Sequence, residues 1–343
     1  MDTIMLLEEL VKADGISGFE SDASEFLKKK LASCCESTEI KKNGTVLGFL
    51  NKFSDNKKTV LLEAHLDRVG LCVSEIKEDG FVGFRAMGGV DERILPASEV
   101  WIKGKKPCFG IIGAVPPHLK SDSDGDSTTK ISDLLIDTGL TKEAAEECFS
   151  VGTPVLLASE FCVLQNGRVS SAALDNRAGI ASIFECIELI KGKDLPFNVC
   201  IAFTVGEELG LLGAKTLIGE NPPDLAVVID VTQGRTLDSD STGTFPLGSG
   251  VVICRGPNLH YEITKSIINL AKEKEIPFDI EVASGSTGTN AWVLQISGKG
   301  VPCALLSIPL RYMHTTVETV DTEDIKNTGK LLAEMLEGGV TIA

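Results

Sequence analysis

Thr59-Val60-Leu61-Leu62-Glu63-Ala64-His65-Leu66-Asp67 is the stretch that decides how the chain reads. Residues 59–64 are mostly apolar, the pattern of a strand buried on both faces of an α/β sheet, and the run ends on a histidine and an aspartate. The same arrangement recurs downstream. The strand-like run 198–205 gives way to Gly206-Glu207-Glu208, and the run 226–230 stops at Asp230. The polar segment Ala173-Leu174-Asp175-Asn176-Arg177 precedes a helical stretch over 178–191, and Tyr312-Met313-His314-Thr315 stands near the C-terminus. Sites in open α/β sheets form outside the carboxyl ends of the strands. Two histidines and three or four carboxylates converging there suit one or two divalent cations of the zinc class.

Each residue also has an ordinary reading on its own. His65 alone is most often a core or surface histidine, Asp175 a helix N-cap, Glu207 and Glu208 solvated charges, and Asp230 a turn residue. But the chain has only four histidines, and two of them close such segments. The joint pattern is much rarer by chance than any one piece.

Outward from that core, residues 2–34 carry apolar positions at helical spacing, broken by a turn over 15–20, and 45–50 reads as a further strand. Between 71 and 164 the texture changes. Short β-like runs (80–84, 99–103, 110–114, 154–157) alternate with Gly and Pro, a polar loop covers 121–127, and 141–148 is helical. From 178 the α/β rhythm returns, with helices over 261–275 and 322–337 and strands over 280–282 and 303–308. The expected fold is α/β: a mixed sheet flanked by helices, formed by residues 1–70 and 165–343, with a β-rich, barrel-like domain of residues 71–164 inserted.

Composition narrows the class. A length of 343 residues fits two domains. Acidic residues outnumber basic ones 49 to 33, for a net charge of −16, which argues against a nucleic-acid partner and against docking on anionic membranes. No run of 18 or more apolar residues occurs, and Met1-Asp2-Thr3-Ile4 lacks the basic start of a secretory signal. Ten scattered cysteines, one adjacent pair (Cys34, Cys35) and no CxxC suit a reducing cytosol, so a cytoplasmic protein is expected.

The motifs Ala64-His65-Leu66-Asp67, Leu174-Asp175-Asn176-Arg177, Gly206-Glu207-Glu208-Leu209-Gly210 and Arg311-Tyr312-Met313-His314 together resemble the cocatalytic di-metal aminopeptidases of the tetrahedral (TET) type. That family includes glutamyl and deblocking aminopeptidases and members labelled endoglucanases. The resemblance runs from Ser17-Gly18-Phe19-Glu20 to Val317-Glu318, and Ile112-Gly113-Ala114-Val115-Pro116-Pro117-His118-Leu119 resembles the family's inserted domain. It implies two divalent metal ions per subunit, zinc or cobalt. His65 and Asp230 would hold one together with a bridging Asp175, and Glu208 and His314 would complete the other. Glu207 would be the general base on a metal-bridging water, and Asp67 would orient His65. The resemblance also implies short peptide substrates and a homo-oligomer, a dodecamer built from dimers, with the inserted domain serving assembly.

The chain departs from the family pattern at Arg68, Asn176, Leu212 and Asn290, where acids or an arginine are usual. Arg68 would either favour acidic substrate groups or pair with a nearby carboxylate. His118 would be a surface histidine or reach a site. The loop Ser284-Gly285-Ser286-Thr287-Gly288-Thr289 could cradle an anion, and no GxxxxGK[ST] occurs to support a nucleotide site. The expected activity is a metal-dependent aminopeptidase. Its rivals are a related di-metal deacylase and a non-catalytic subunit of an assembly. A glycosidase would need a free carboxylate pair, and the matched acids are committed to metal.

Overall fold

A computed structural model describes residues 2–114, 130–219 and 222–341. Helices α1 (Thr3–Lys12) and α2 (Ser21–Ala32) lead into β1 (Ser37–Ile40), β2 (Val46–Phe49) and β3 (Thr59–His65). Next come β4 (Gly70–Ile76), β5 (Val82–Met87), β6 (Glu99–Lys103), β7 (Pro107–Ile112), β8 (Ile136–Asp137), α3 (Lys142–Cys148) and β9 (Pro154–Leu157). The chain continues through β10 (Cys162–Val163), β11 (Arg168–Ser171), α4 (Leu174–Ile190), β12 (Asn198–Thr204), α5 (Leu212–Lys215) and β13 (Leu225–Gln233). It ends with β14 (Val251–Arg255), α6 (Tyr261–Glu273), β15 (Phe278–Val282), α7 (Ala291–Leu294), β16 (Cys303–Arg311), β17 (Glu318–Asp321) and α8 (Thr322–Glu334).

Eleven strands form one mixed sheet in the order β1-β2-β12-β3-β13-β16-β17-β11-β10, with β14 and β15 branching from β16. Its centre, β12-β3-β13-β16, is parallel. Successive side chains of a strand point to opposite faces, and the packing obeys this. Val60, Leu62 and Ala64 of β3 enter a core shared with α1, α2, α4, α6 and α8, whereas Leu61 enters a second core beneath α5 and α7. Burial on both faces is why these strands read as continuous apolar runs rather than alternating ones. Parity then places His65, with Leu61 and Glu63, on the α5–α7 face, and Asp230 joins it there with Ala226 and Val228.

Strand β13 runs three residues past Asp230, because the β16 ladder continues to Gln233 opposite Leu310. The reading that ended it at Asp230 followed hydropathy, which stops before the backbone pairing does. Helix α4 crosses the first core under α8. A Cβ added at Gly329 would sit 2.6 Å from Glu185 Cβ and 2.8 Å from the Ser182 carbonyl oxygen, so glycine sets how closely α8 approaches.

Strands β4-β5-β8-β7-β6-β9 close into a barrel around its own apolar core of Leu71, Val82, Phe84, Ile102, Ile136 and Val155. The polar loop 121–127 and His118 lie outside the described residues. Among the described residues, no helix is long and apolar enough to cross a membrane.

Candidate metal centre

The parallel strands deliver their C-terminal residues to one edge. His65 ends β3, Glu207 and Glu208 follow β12, and Asp230 sits near the end of β13. Asp175 lies at the start of α4, in non-helical backbone joined to Asn176 by a cis peptide, and His314 follows β16. The ordinary reading of Asp175 as an N-cap does not apply. Ala173 occupies the cap, and the Asp175 amide donates to Glu318 Oε2 at 3.1 Å.

Two triads result. His65 Nε2 is 3.0 Å from Asp175 Oδ1 and 3.6 Å from Asp230 Oδ1. His314 Nε2 is 3.3 Å from Asp175 Oδ2 and 3.2 Å from Glu208 Oε1. In each triad the potential ligand atoms lie within 4.8 Å of one another, and Asp175 gives one oxygen to each. Glu207, only 9 % exposed, faces the same cleft of about 910 Å³. That cleft is also lined by the loop from Ser284 to Thr289.

Around the triads, backbone groups are held by buried acids. Asp67 accepts the amides of Glu207 (3.0 Å) and Glu208 (3.1 Å) and the hydroxyl of Ser17. Its carboxylate is 3.6 Å from His65 Nδ1, while its backbone carbonyl is nearer, at 3.1 Å. Asp67 therefore fixes the Glu207–Glu208 turn at least as firmly as it orients the imidazole. Glu318 accepts amides from both Asp175 and His314 (2.8 Å to the latter), so one side chain ties the bridging acid to the second histidine. Gly89, between β5 and β6, accepts from His314 Nδ1 at 3.0 Å if that nitrogen carries the proton.

The departures have local explanations. Asn176 donates to the Ile229 carbonyl at 2.8 Å, one residue before Asp230, and accepts from the Gly179 amide at 3.0 Å. An ionised aspartate could not donate. Asn290 donates to Glu63 Oε1 at 2.8 Å beneath the site, where the Thr204 hydroxyl also donates at 2.6 Å. Burial pushes Glu63 up to about 7, so a second acid at 290 would oppose it. Arg68 does not line the cleft. It is buried, within electrostatic reach of Glu318 and Asp14, and its Nε has no hydrogen-bond partner among the described residues, so it is removed from contact with substrate. Leu212, half exposed, opens α5 and packs over Gly206. Glu318 and the amide-holding role of Asp67 were missed from sequence. The acid four residues after His314 was the available signal.

The electrostatics follow from crowding four carboxylates and two imidazoles in a buried pocket. Burial lowers the His314 pKa, but Asp175 and Glu208 outweigh it and raise it to about 11. His65 is likewise raised against the effect of burial by Asp175, Asp230 and Asp67. Burial would raise Asp175, yet hydrogen bonds from the two histidines hold it low. Glu207 has no such partner. Burial, with Asp230, Glu208 and Asp175 nearby, pushes it up to about 9 despite His65. Such a set of oxygen and imidazole donors fits divalent cations, which would replace protons as the neutralising charge.

Residues 44–331 match the family described as M42 glutamyl aminopeptidase. Lysyl aminopeptidase of Pyrococcus furiosus is 31% identical over 338 residues, 97% of this chain and 96% of that protein. The TET aminopeptidase of a marine sediment Thaumarchaeota archaeon superposes with a TM-score of 0.91 at 29% identity, covering 98% of this chain and 96% of the other. A Pyrococcus horikoshii TET1 peptidase, described as able to assemble into a tetrahedron or a large octahedral shell, superposes with a TM-score of 0.86 at 30% identity, covering 98% and 99%. The triads thus stand on a peptidase scaffold matched from end to end, and the chain belongs to the M42 glutamyl aminopeptidase family of peptide hydrolases.

Proposed function

We propose that the chain removes N-terminal residues from short peptides at a centre holding two divalent cations, zinc or cobalt. His65 and Asp230 would bind one and Glu208 and His314 the other, with Asp175 bridging. The observation that carries this reading is Asp175, whose two oxygens lie 3.0 Å and 3.3 Å from the Nε2 atoms of different histidines. When bound, the cation pair supplies Lewis acidity, lowering the pKa of a shared water and offsetting oxyanion charge. Glu207 would take a proton from the attacking water and return it to the leaving amine nitrogen, a role open to a carboxylate that lines the cleft without a histidine hydrogen bond of its own. Asp67 and Glu318 act through the backbone amides they accept, fixing the two glutamates, Asp175 and His314.

Residues 1–70 and 165–343 would carry this chemistry and residues 71–164 would serve assembly into a homo-oligomer, a dodecamer built from dimers. The outer face of the barrel supports this: Trp101 and Phe109 stack edge to face at 5.3 Å beside Ile111, all exposed. A cytoplasmic location is supported by ten cysteines that form no disulfide. The test is a panel of aminoacyl anilides against N-acyl amino acids, with chelator and then added zinc or cobalt. Anilide hydrolysis lost in chelator and restored by metal is expected. Activity on the acyl series alone would make the enzyme a deacylase. Light scattering that shows only monomer would refute the assembly.

A further inference from the structure

The cleft extends from the triads across β13, β14 and β15. Asp230 and Thr232 lie two residues apart on one face of β13, a step of about 6.6 Å. The Thr232 hydroxyl donates to Glu281 Oε1 at 3.1 Å, which fixes a carboxylate of β15 in the wall of the same cleft. Cys254 and Leu305 line the cleft as well, both almost fully buried, whereas the side chain of Val231 packs into the core on the opposite face. The surface beyond the reacting centre thus combines apolar side chains, neutral hydroxyls such as Thr232, Ser286 and Ser307, and one carboxylate. Glu281 enters no ion pair among the described residues, and no lysine or arginine among them lines the cleft. An acidic N-terminal side chain would find no basic side chain there. An aliphatic stem ending in a cation could lie along the apolar residues and place its charge on Glu281.

Resting on the aminopeptidase reading above, we propose that Glu281 makes the site select peptides whose N-terminal residue is lysine or arginine. The test uses the zinc- or cobalt-loaded full chain with lysyl, arginyl, leucyl and glutamyl anilides. Lysyl and arginyl substrates are expected to show the highest kcat/KM. In Glu281→Gln the lysyl-to-leucyl ratio of kcat/KM should fall about tenfold to a hundredfold, the effect of one lost hydrogen bond to a charged group. Glu281→Arg should move the preference to the glutamyl substrate. Free lysine and norleucine differ chiefly in the terminal ammonium, so their inhibition of the unsubstituted enzyme gives a second answer. Lysine should bind about tenfold tighter. A leucyl or glutamyl preference in the unsubstituted enzyme, or equal inhibition by lysine and norleucine, overturns the proposal and leaves the aminopeptidase reading standing. A Glu281→Gln variant that slows every substrate equally also overturns it, by placing Glu281 on the shared α-amine. Hydrolysis of no anilide at all would instead remove the aminopeptidase reading itself.

Discussion

The barrel and the edge of the sheet are built on the same kind of buried aliphatic side chain, yet they treat polar groups in opposite ways. The barrel core, with Leu71, Phe84, Val100 and Ile136, is apolar throughout. The C-terminal edge of the sheet buries Glu63, His65, Asp67, Asp175, Asp230 and Glu318 within a short distance of one another. Buried ionisable groups lower stability unless each is paired or hydrogen-bonded, so such a cluster is retained for chemistry rather than for folding. The two regions touch at the site through Gly89, whose carbonyl meets His314 Nδ1.

Substitutions at the two regions should therefore fail differently. The largest effect is expected at Glu207. Glu207→Gln keeps the shape and removes the base, so turnover should fall about 10²–10⁴-fold with metal content intact. Parallel measurement of turnover and bound metal checks this. In Glu208→Gln one cation should weaken instead, and excess zinc or cobalt should restore part of the activity. If the two variants exchange behaviour, the roles of the adjacent glutamates are exchanged.

In the barrel, Phe84→Ala should cost about 3–5 kcal/mol in denaturant unfolding, because a fully buried ring leaves a cavity. Metal stoichiometry should stay at the unsubstituted value. Loss of metal in Phe84→Ala would show that the barrel supports the centre as well as itself. The smallest effect is expected at the α4–α8 contact. Gly329→Ala forces a methyl to within 2.6 Å of Glu185 Cβ and should cost about 1–3 kcal/mol. An unchanged melting temperature would mean that α8 shifts without cost.

The sequence made the strand ends legible, since an apolar run that stops on His65 or just before Glu207 marks both a buried strand and its polar edge. The structure brings all seven residues singled out from sequence to that edge. Other features were hidden for physical reasons. Glu318 acts through amides 143 residues away and beside His314, contacts with no local signature. Strand β4, Gly70-Leu71-Cys72-Val73-Ser74-Glu75-Ile76, mixes buried and exposed positions around a bulge, and β8 has two residues. Their pairing is decided by barrel closure rather than by periodicity. Asn176 stands where the family usually has an acid, and its amide donates to the Ile229 carbonyl, a contact 53 residues away that local sequence does not reveal.

The central claim is that one aspartate joins two metal sites, and metal analysis of Asp175→Ala tests it most directly. The unsubstituted chain, reconstituted with zinc or cobalt, should approach two equivalents per chain. Asp175→Ala should fall toward none, because each triad loses an oxygen at once. Retention of both equivalents in Asp175→Ala, in a protein that still folds, would contradict the bridging assignment.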